Sequence, residues 1–150
     1  FFLPYIWTMF ELLKFAKNII KTDIGKVFVL TFDNPNLKSL VISLNKDQLQ
    51  LGQLSNESLM PNYSRTSVNV FGKRPGRFTL FDTGQLYRSF KIDSVTEQSI
   101  IETGDLVRGQ TDWGQVFDNN VLGLGGESLA ILIDEALPLM QQTILNEWQK

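Results

Sequence analysis

The stretch Leu80-Phe81-Asp82-Thr83-Gly84-Gln85-Leu86-Tyr87-Arg88-Ser89-Phe90 combines a turn signal with a regular apolar pattern in one short run. Asp82 can accept a backbone hydrogen bond in a turn, and Gly84 can adopt the positive φ that tight turns require. Beyond the turn, apolar and polar residues alternate, which is typical of a loop that leads into a strand or a short helix. At this point Asp-Thr-Gly is either a catalytic carboxylate motif or a structural turn.

The composition is that of one globular domain. The chain has 150 residues, 43% hydrophobic and 20% charged, which is enough to bury a core and too few for two ordinary domains. It contains no cysteine and no histidine, which excludes disulfides, Cys/His metal sites and catalysis that depends on histidine. Carboxylate, Lys, Ser and oxygen-ligated metal chemistry remain, but none has its usual spacing. We therefore expect no catalytic residues, no cofactor and no metal.

The charges are unevenly distributed along the chain, although the net charge is only −2 at pH 7. In the middle segment Asp82 is the only acid among the basic residues Arg65, Lys73, Arg74, Arg77, Arg88 and Lys91. After Lys91, acidic residues far outnumber Arg108 and Lys150. A subunit with this polarity can stack against copies of itself or contact a polyanion with one face.

The N-terminus begins with an apolar run over residues 1–7. Glu11, Lys14 and Lys17 interrupt the run well before the ~20 apolar residues of a membrane span, and no signal-peptide pattern is present. We therefore expect no membrane segment. A cleaner amphipathic pattern begins at Met9, so we take Met9 as the native start and residues 1–8 as a non-native extension or flexible terminus. Detection of Phe1 in natively expressed protein would contradict this hypothesis.

Helical patterns dominate the first third of the chain. Apolar residues recur at three- and four-residue steps over residues 9–20, which predicts an amphipathic helix. Residues 24–32 have the composition of a strand but could equally form a short helix capped by Asp23. Asn34 and Pro35 predict the start of a helix that Gly52 ends. One face of this helix, apolar apart from Gln48, consists of Leu37, Leu40, Val41, Leu44, Gln48 and Leu51.

The remaining segments predict a small antiparallel sheet followed by a helix. Residues 68–71 form either a strand or the end of a short helix, and residues 91–95 pair with residues 98–103 in a hairpin. A glycine-rich bend at residues 121–126 precedes the last helix, which Pro138 kinks or restarts. Its face comprises Leu129, Leu132, Ile133, Ala136, Leu137, Met140, Ile144 and Trp148. This order predicts a single α+β domain with N-terminal helices packed on the sheet.

Asp82-Thr83-Gly84 is also the triplet of aspartic peptidases. A chain with one triplet would have to dimerise, so that two Asp82 carboxyls share a proton. Gln85 stands where a small Ala or Ser is expected, and the helical first third is foreign to an all-β peptidase. A three-residue motif recurs by chance, so we favour a structural turn and keep a homodimeric peptidase as the alternative.

Three other features have simpler structural interpretations. Lys73, Arg74 and Arg77, with Arg65 and Arg88, could contact phosphates, but a solvated hairpin loop is favoured, and no aromatic residue is interleaved for base stacking. A DNA-binding accessory protein is the weaker alternative. The glycines at 123–126 resemble a phosphate cradle but lack the Lys and Ser/Thr of a P-loop, so a helix-entry turn is favoured. Asp112, Asp118, Asp134 and Glu135 lack calcium-loop spacing, which indicates a solvated acidic face.

Taken in order, several of these motifs resemble those of tailed-phage virion-morphogenesis proteins, which include tail-completion and head–tail joining (neck) proteins. The resemblance rests on Leu59-Met-Pro-Asn-Tyr-Ser-Arg-Thr66, the basic Gly/Pro loop, and Thr79-Leu-Phe-Asp-Thr-Gly-Gln-Leu-Tyr-Arg-Ser-Phe90. Further similarity lies in Leu44-Asn45-Lys-Asp-Gln-Leu49 and in Phe117 with Leu122-Gly-Leu124. The resemblance covers roughly residues 37–137. It depends on the order of the motifs, because each motif alone is weak.

The resemblance implies a non-enzymatic subunit of a homo-oligomeric ring, often of about six or twelve copies, at the portal end of the capsid or the top of the tail. Its implied partners are other neck, portal or tail proteins and, non-specifically, DNA in the channel. The implied location is the virion, after assembly in the host cytoplasm. In such a subunit Asp82, Thr83 and Gly84 shape a turn. The residues expected to contact a neighbouring subunit or DNA are Lys73, Arg74, Arg77 and Arg88.

Overall fold

The computed structural model describes residues 9–81 and 83–149. The predictions about residues 1–8 and about the Asp82 side chain lie outside these residues. The described chain contains, in order, α1 (Met9–Lys21), α2 (Ile24–Phe32), α3 (Pro35–Gln50), α4 (Arg65–Phe71), α5 (Gln85–Ser89), β1 (Lys91–Val95), β2 (Ile100–Thr103), β3 (Val107–Arg108), β4 (Thr111–Asp112), α6 (Trp113–Val116) and α7 (Gly126–Trp148).

The predicted α+β class is confirmed. The strands form two separate two-stranded antiparallel sheets, β1 with β2 and β3 with β4. In the first sheet Lys91 lies opposite Thr103 and Val95 opposite Ile100, with an irregularity between Ile92 and Ser94. The hairpin predicted from the alternating pattern is therefore present.

The segment that could be strand or helix is the helix α2. The Asp23 carboxylate accepts a hydrogen bond from the backbone N of Lys26 at 3.0 Å, which caps the helix. Val27, Thr31 and Phe32 are buried, and the helix packs against α7. Burial against a distant helix thus overrides the strand propensity of this segment.

Helix α3 begins where the Asn-Pro pair predicted. The Asn34 side chain accepts a hydrogen bond from the backbone N of Asn36, and Pro35 occupies the first turn, where its missing N–H has no partner to lose. Most of the predicted apolar face is buried or half-buried. Leu51 departs from it: this residue caps the helix and is 70% exposed.

Two further ambiguous segments are helical. Residues 65–71 form α4, capped by the Ser64 hydroxyl, which accepts from the backbone N of Ser67 at 3.1 Å. Residues 85–89 form the short helix α5, and Leu86, Tyr87 and Phe90 are buried there. Leu86 and Phe90 thus anchor the stretch in the core, and the strand begins only at Lys91.

Helix α7 runs from Gly126 to Trp148 with Pro138 inside it, so the chain does not restart as a second helix. Leu132 and Ala136 are buried in the packing with α2 and α3. Leu129, Ile133 and Leu137, predicted on the same apolar face, remain 44, 47 and 47% exposed. The apolar stripe of α7 is therefore wider than the surface that covers it within the described chain.

The core consists of two apolar clusters. The first joins the end of α3 and the following loop to α5 and to Val121, through Leu49, Leu54, Met60, Leu86, Tyr87 and Phe90. The second joins α2, α3 and α7, through Phe32, Leu37, Val41, Leu44, Leu132 and Ala136. Among the described residues, no helix is both long and apolar enough to cross a lipid bilayer.

Candidate functional site

The basic loop Gly72 to Arg77 is tied to the segment at residues 61–63. The backbone N of Tyr63 donates to the carbonyl of Gly76 at 2.8 Å, and that of Phe78 donates to the carbonyl of Pro61 at 2.9 Å. Asn62 and Arg77 form a β-bridge between these bonds. The loop is therefore the turn of a short two-stranded ribbon, residues 61–78. The backbone pairing of the ribbon fixes the position of the loop that carries the basic side chains.

Arg77 lies directly over the end of α3. A methyl group added at Gly52 would meet the Cβ atom of Arg77 at 2.6 Å, and Gly52 has a φ of +69°. Glycine is therefore required at position 52 for two reasons, the left-handed backbone and the close approach of the basic loop. The glycine predicted as a helix stop also sets the distance between α3 and the loop.

A broad open groove of about 720 Å³ lies beside the loop. Three basic residues, Lys73, Arg74 and Arg77, line it together with Leu51, Tyr63 and Phe81. Arg74 and Arg77 are exposed, whereas Lys73 is half-buried. No acidic residue of the described chain lines this surface, which we call the basic groove.

Aromatic rings line the basic groove, although none is interleaved among its basic residues in the sequence. Tyr63 packs edge-on against Phe78 with ring centroids 4.5 Å apart. Phe81 packs edge-on against Tyr87 at 5.3 Å and remains 51% exposed. Tyr63 precedes Lys73 by ten residues and Phe81 follows Arg77 by four, and the backbone pairing at residues 61–63 brings Tyr63 beside the loop.

Of the predicted turn Asp82-Thr83-Gly84, the structure describes Thr83 and Gly84. Gly84 has a φ of +72° and precedes α5 directly, as the motif predicted. The guanidinium of Arg88 and the ring of Phe81 both lie 3.1 Å from the position of a Cβ on Gly84. Arg88 thus folds back over the turn and does not line the basic groove, whereas Lys73, Arg74 and Arg77 are brought together there.

The surroundings of Thr83 and Gly84 are relevant to the peptidase alternative. The cavity that these residues line has a volume of about 40 Å³, which is room for about one water molecule. Behind the turn, the Tyr87 hydroxyl donates to the carbonyl of Thr79, and burial raises the pKa of Tyr87 well above its ordinary value. The residues around this turn are therefore closely packed and hydrogen-bonded, and they support α5.

The glycine bend before α7 is filled by the chain's own side chains. The backbone N of Gly123 donates to Glu102 at 3.0 Å, that of Gly125 to Gln48 at 2.7 Å, and that of Gly126 to Glu57 at 2.9 Å. The N–H groups that would hold a phosphate in a cradle therefore already have acceptors. This arrangement agrees with the helix-entry turn that the motif favoured.

Glu102 is a half-buried carboxylate held by a side-chain amide. Both of its carboxylate oxygens accept from the Asn45 side-chain amide at 3.0 Å, and burial raises its pKa. The Oδ1 atom of Asn45 is buried without a hydrogen-bond partner. This pair was not anticipated from sequence, where the only signal is a polar Asn on the apolar side of α3.

No protein-family model, curated protein or solved structure matches the chain. Within residues 9–81 and 83–149, no cluster of three or more carboxylates could hold a metal ion. Of the arrangements described above, the basic groove offers the largest exposed surface of mixed charge and apolar character, and it contains three of the residues selected from sequence.

Proposed function

We propose that this chain is a structural subunit of a tailed-phage virion, located at the head–tail junction or the top of the tail and required for particle assembly. The proposal begins from the sequence resemblance, in which the segment at residues 59–66, the basic loop and the segment at residues 79–90 occur in a fixed order. The subunit forms a homo-oligomeric ring and contacts other neck, portal or tail proteins.

The observation that carries the proposal is the packing of these three segments into one unit. Met60, Leu86 and Phe90, from the first and third segments, share one apolar cluster. The loop between them is held to the first segment by the backbone bonds of Tyr63 and Phe78. The resembling motifs therefore support a single surface, the basic groove, rather than three unrelated sites.

A basic groove suits an assembly subunit for a physical reason. Arg and aromatic residues are enriched at the centres of protein interfaces, where they combine apolar contact with directed hydrogen bonds. Arg74 and Arg77 together with Tyr63 and Phe81 have this composition. In a ring around the DNA channel, the same basic loop faces either a neighbouring subunit or the DNA, where contact with phosphates is independent of sequence.

The first test is the location of the protein in particles. Virions purified after induction of the genome that encodes the chain should contain it by mass spectrometry, and antibody labelling should mark the neck or the upper tail in electron micrographs. A genome with the coding sequence deleted should release unjoined heads and tails. Fully infectious particles from the deletion would refute the proposal.

The second test concerns the loop itself. Charge reversal at Lys73, Arg74 and Arg77 should block particle completion, because both a neighbouring acidic surface and DNA would then be repelled. Reversal of two exposed lysines elsewhere, Lys21 and Lys91, is the matched control and should leave particle yield unchanged. Normal infectious particles from the loop variant would remove the loop from the function.

A further inference from the structure

The basic groove is both apolar and positively charged. Leu51, at its edge, is 70% exposed, and the adjacent end of α4 carries Val70 and Phe71, which are 68 and 71% exposed. A bare phosphate chain gains nothing from these aliphatic and aromatic surfaces, since their burial requires an apolar partner. The groove is therefore complementary to a protein surface that carries both acids and aliphatic side chains.

The outer face of α7 has this composition. Leu129, Ile133 and Leu137 recur at four-residue steps and remain nearly half exposed. Glu127 and Asp134, which are seven residues and so about two turns apart, are exposed along one side of this stripe, and neither has an ion-pair partner within the described chain. α7 contributes no residue to the groove of its own molecule.

We infer that the basic groove of one subunit receives the outer face of α7 from a second copy of this chain. Arg74 and Arg77 pair with Glu127 and Asp134, and the exposed aliphatic residues of α7 cover the apolar edge at Leu51 and Phe71. The contact is heterologous because it joins two different surfaces, so repeated copies form a ring or an open chain. The inference rests on the proposed function, since it specifies how the subunits of the ring meet.

Charge distinguishes α7 from the other amphipathic helix that a second copy could offer. Helix α1 also carries exposed aliphatic residues, Leu13, Ile19 and Ile20. Its exposed charges include Lys14, Lys17 and Lys21, which a groove lined by arginines would repel. The acidic helix is therefore the complementary partner.

The test uses the full-length protein and two charge-reversed variants. One variant carries Arg74→Glu and Arg77→Glu, and the other carries Glu127→Lys and Asp134→Lys. Sedimentation velocity over a concentration series up to about 1 mM, the range of weak specific contacts, should show self-association of the wild type that weakens with added salt. Each variant alone should associate at least tenfold more weakly, because groove and helix then carry like charges.

An equimolar mixture of the two variants should regain association, because the glutamates of one groove face the lysines of the other variant's helix. A chain that carries all four substitutions should also self-associate. The variant with Lys21→Glu and Lys91→Glu is the control and should associate like the wild type. These rescue arms exclude misfolding as the cause of any loss, since a misfolded variant would not recover on mixing.

A monomeric wild type over the whole range, unchanged association of either variant, or loss without recovery in the mixture would each overturn the inference. Fluorescence anisotropy with labelled single-stranded and duplex DNA supplies a further arm. If Arg74→Glu/Arg77→Glu abolishes DNA binding but leaves association intact, the groove binds nucleic acid and the inference is wrong. The proposed function is judged separately, by the presence of the protein in particles and the effect of its deletion.

Discussion

The side-chain amide of Asn45 donates to both carboxylate oxygens of Glu102 at 3.0 Å, joining the middle of α3 to strand β2. Asn45 is fully buried, and Glu102 also accepts from the backbone N of Gly123. One amide and one carboxylate thus connect three separate parts of the chain. Because a buried carboxylate requires its donors, the pair is a sensitive point of the fold.

Asn45→Ala should destabilise the protein by about 1–3 kcal/mol, because it leaves the Glu102 carboxylate with the Gly123 N–H as its remaining described donor. Urea denaturation followed by circular dichroism measures the change. Asn146→Ala, at an exposed position of α7, is the control and should have little effect. The double variant Asn45→Ala/Glu102→Ala should lose less than the sum of the two single changes, since the two residues interact directly. Strict additivity would contradict the pairing.

The raised pKa of Glu102 predicts a particular dependence of stability on pH. Since the folded state holds this proton more tightly than the unfolded state, the contribution of Glu102 is most favourable below the ordinary glutamate pKa. It is lost as the pH rises through the higher folded value. The free energy of unfolding of the wild type minus that of Glu102→Gln should therefore decrease from acidic to neutral pH. A difference that increases with pH would indicate a depressed pKa.

Gly52→Ala and Gly72→Ala separate backbone strain from steric conflict. Both glycines have a positive φ, +69° and +63°, but an added methyl group meets Arg77 only at Gly52, and nothing within 4 Å at Gly72. Gly72→Ala should cost about 1–2 kcal/mol from the left-handed backbone alone. Gly52→Ala should cost roughly 1–3 kcal/mol more, because Arg77 must move. Equal losses in thermal or urea denaturation would show that the loop is not held against α3.

Substitutions of Asp82 distinguish an assembly subunit from a peptidase. In an assembly subunit, Asp82→Ala should lower stability by about 0.5–2 kcal/mol, and Asp82→Asn should partly restore it, since an amide oxygen also accepts the turn hydrogen bond. In a peptidase, both substitutions should abolish activity, because neither residue shares a proton. Thermal melts together with a peptide-cleavage assay on the wild type decide between the two. Cleavage by the wild type that both variants lack would establish the peptidase.

The sequence predicted those parts of the fold that depend on contacts between residues close together in the chain. Asn34 and Pro35 define the start of α3 because capping involves only neighbouring residues. The hairpin of β1 and β2 follows from alternation and a short connection. Helix α2 was undecided because the deciding contact is with α7, more than a hundred residues away in the chain. The composition of Ile24–Phe32 alone does not indicate the contact with α7.

The candidate site was predictable only in its charges. Lys73, Arg74 and Arg77 are close in sequence, so their common surface was visible as a cluster. Tyr63 and Phe81 join them through the ribbon at residues 61–78, which depends on backbone pairing between segments. The pair of Asn45 and Glu102 spans 57 positions, and no periodic pattern links two residues at that separation.

The glycine bend also determines how α7 responds to force. Gln48, Glu57 and Glu102 hold three successive parts of the bend from three different regions of the chain. Because the three bonded glycines follow one another along the chain, a pull on the start of α7 reaches the bond at Gly126 first and the bonds at Gly125 and Gly123 only after it. The bend therefore yields one bond at a time, and a loaded α7 gives way at its own entry before the elements behind it are strained.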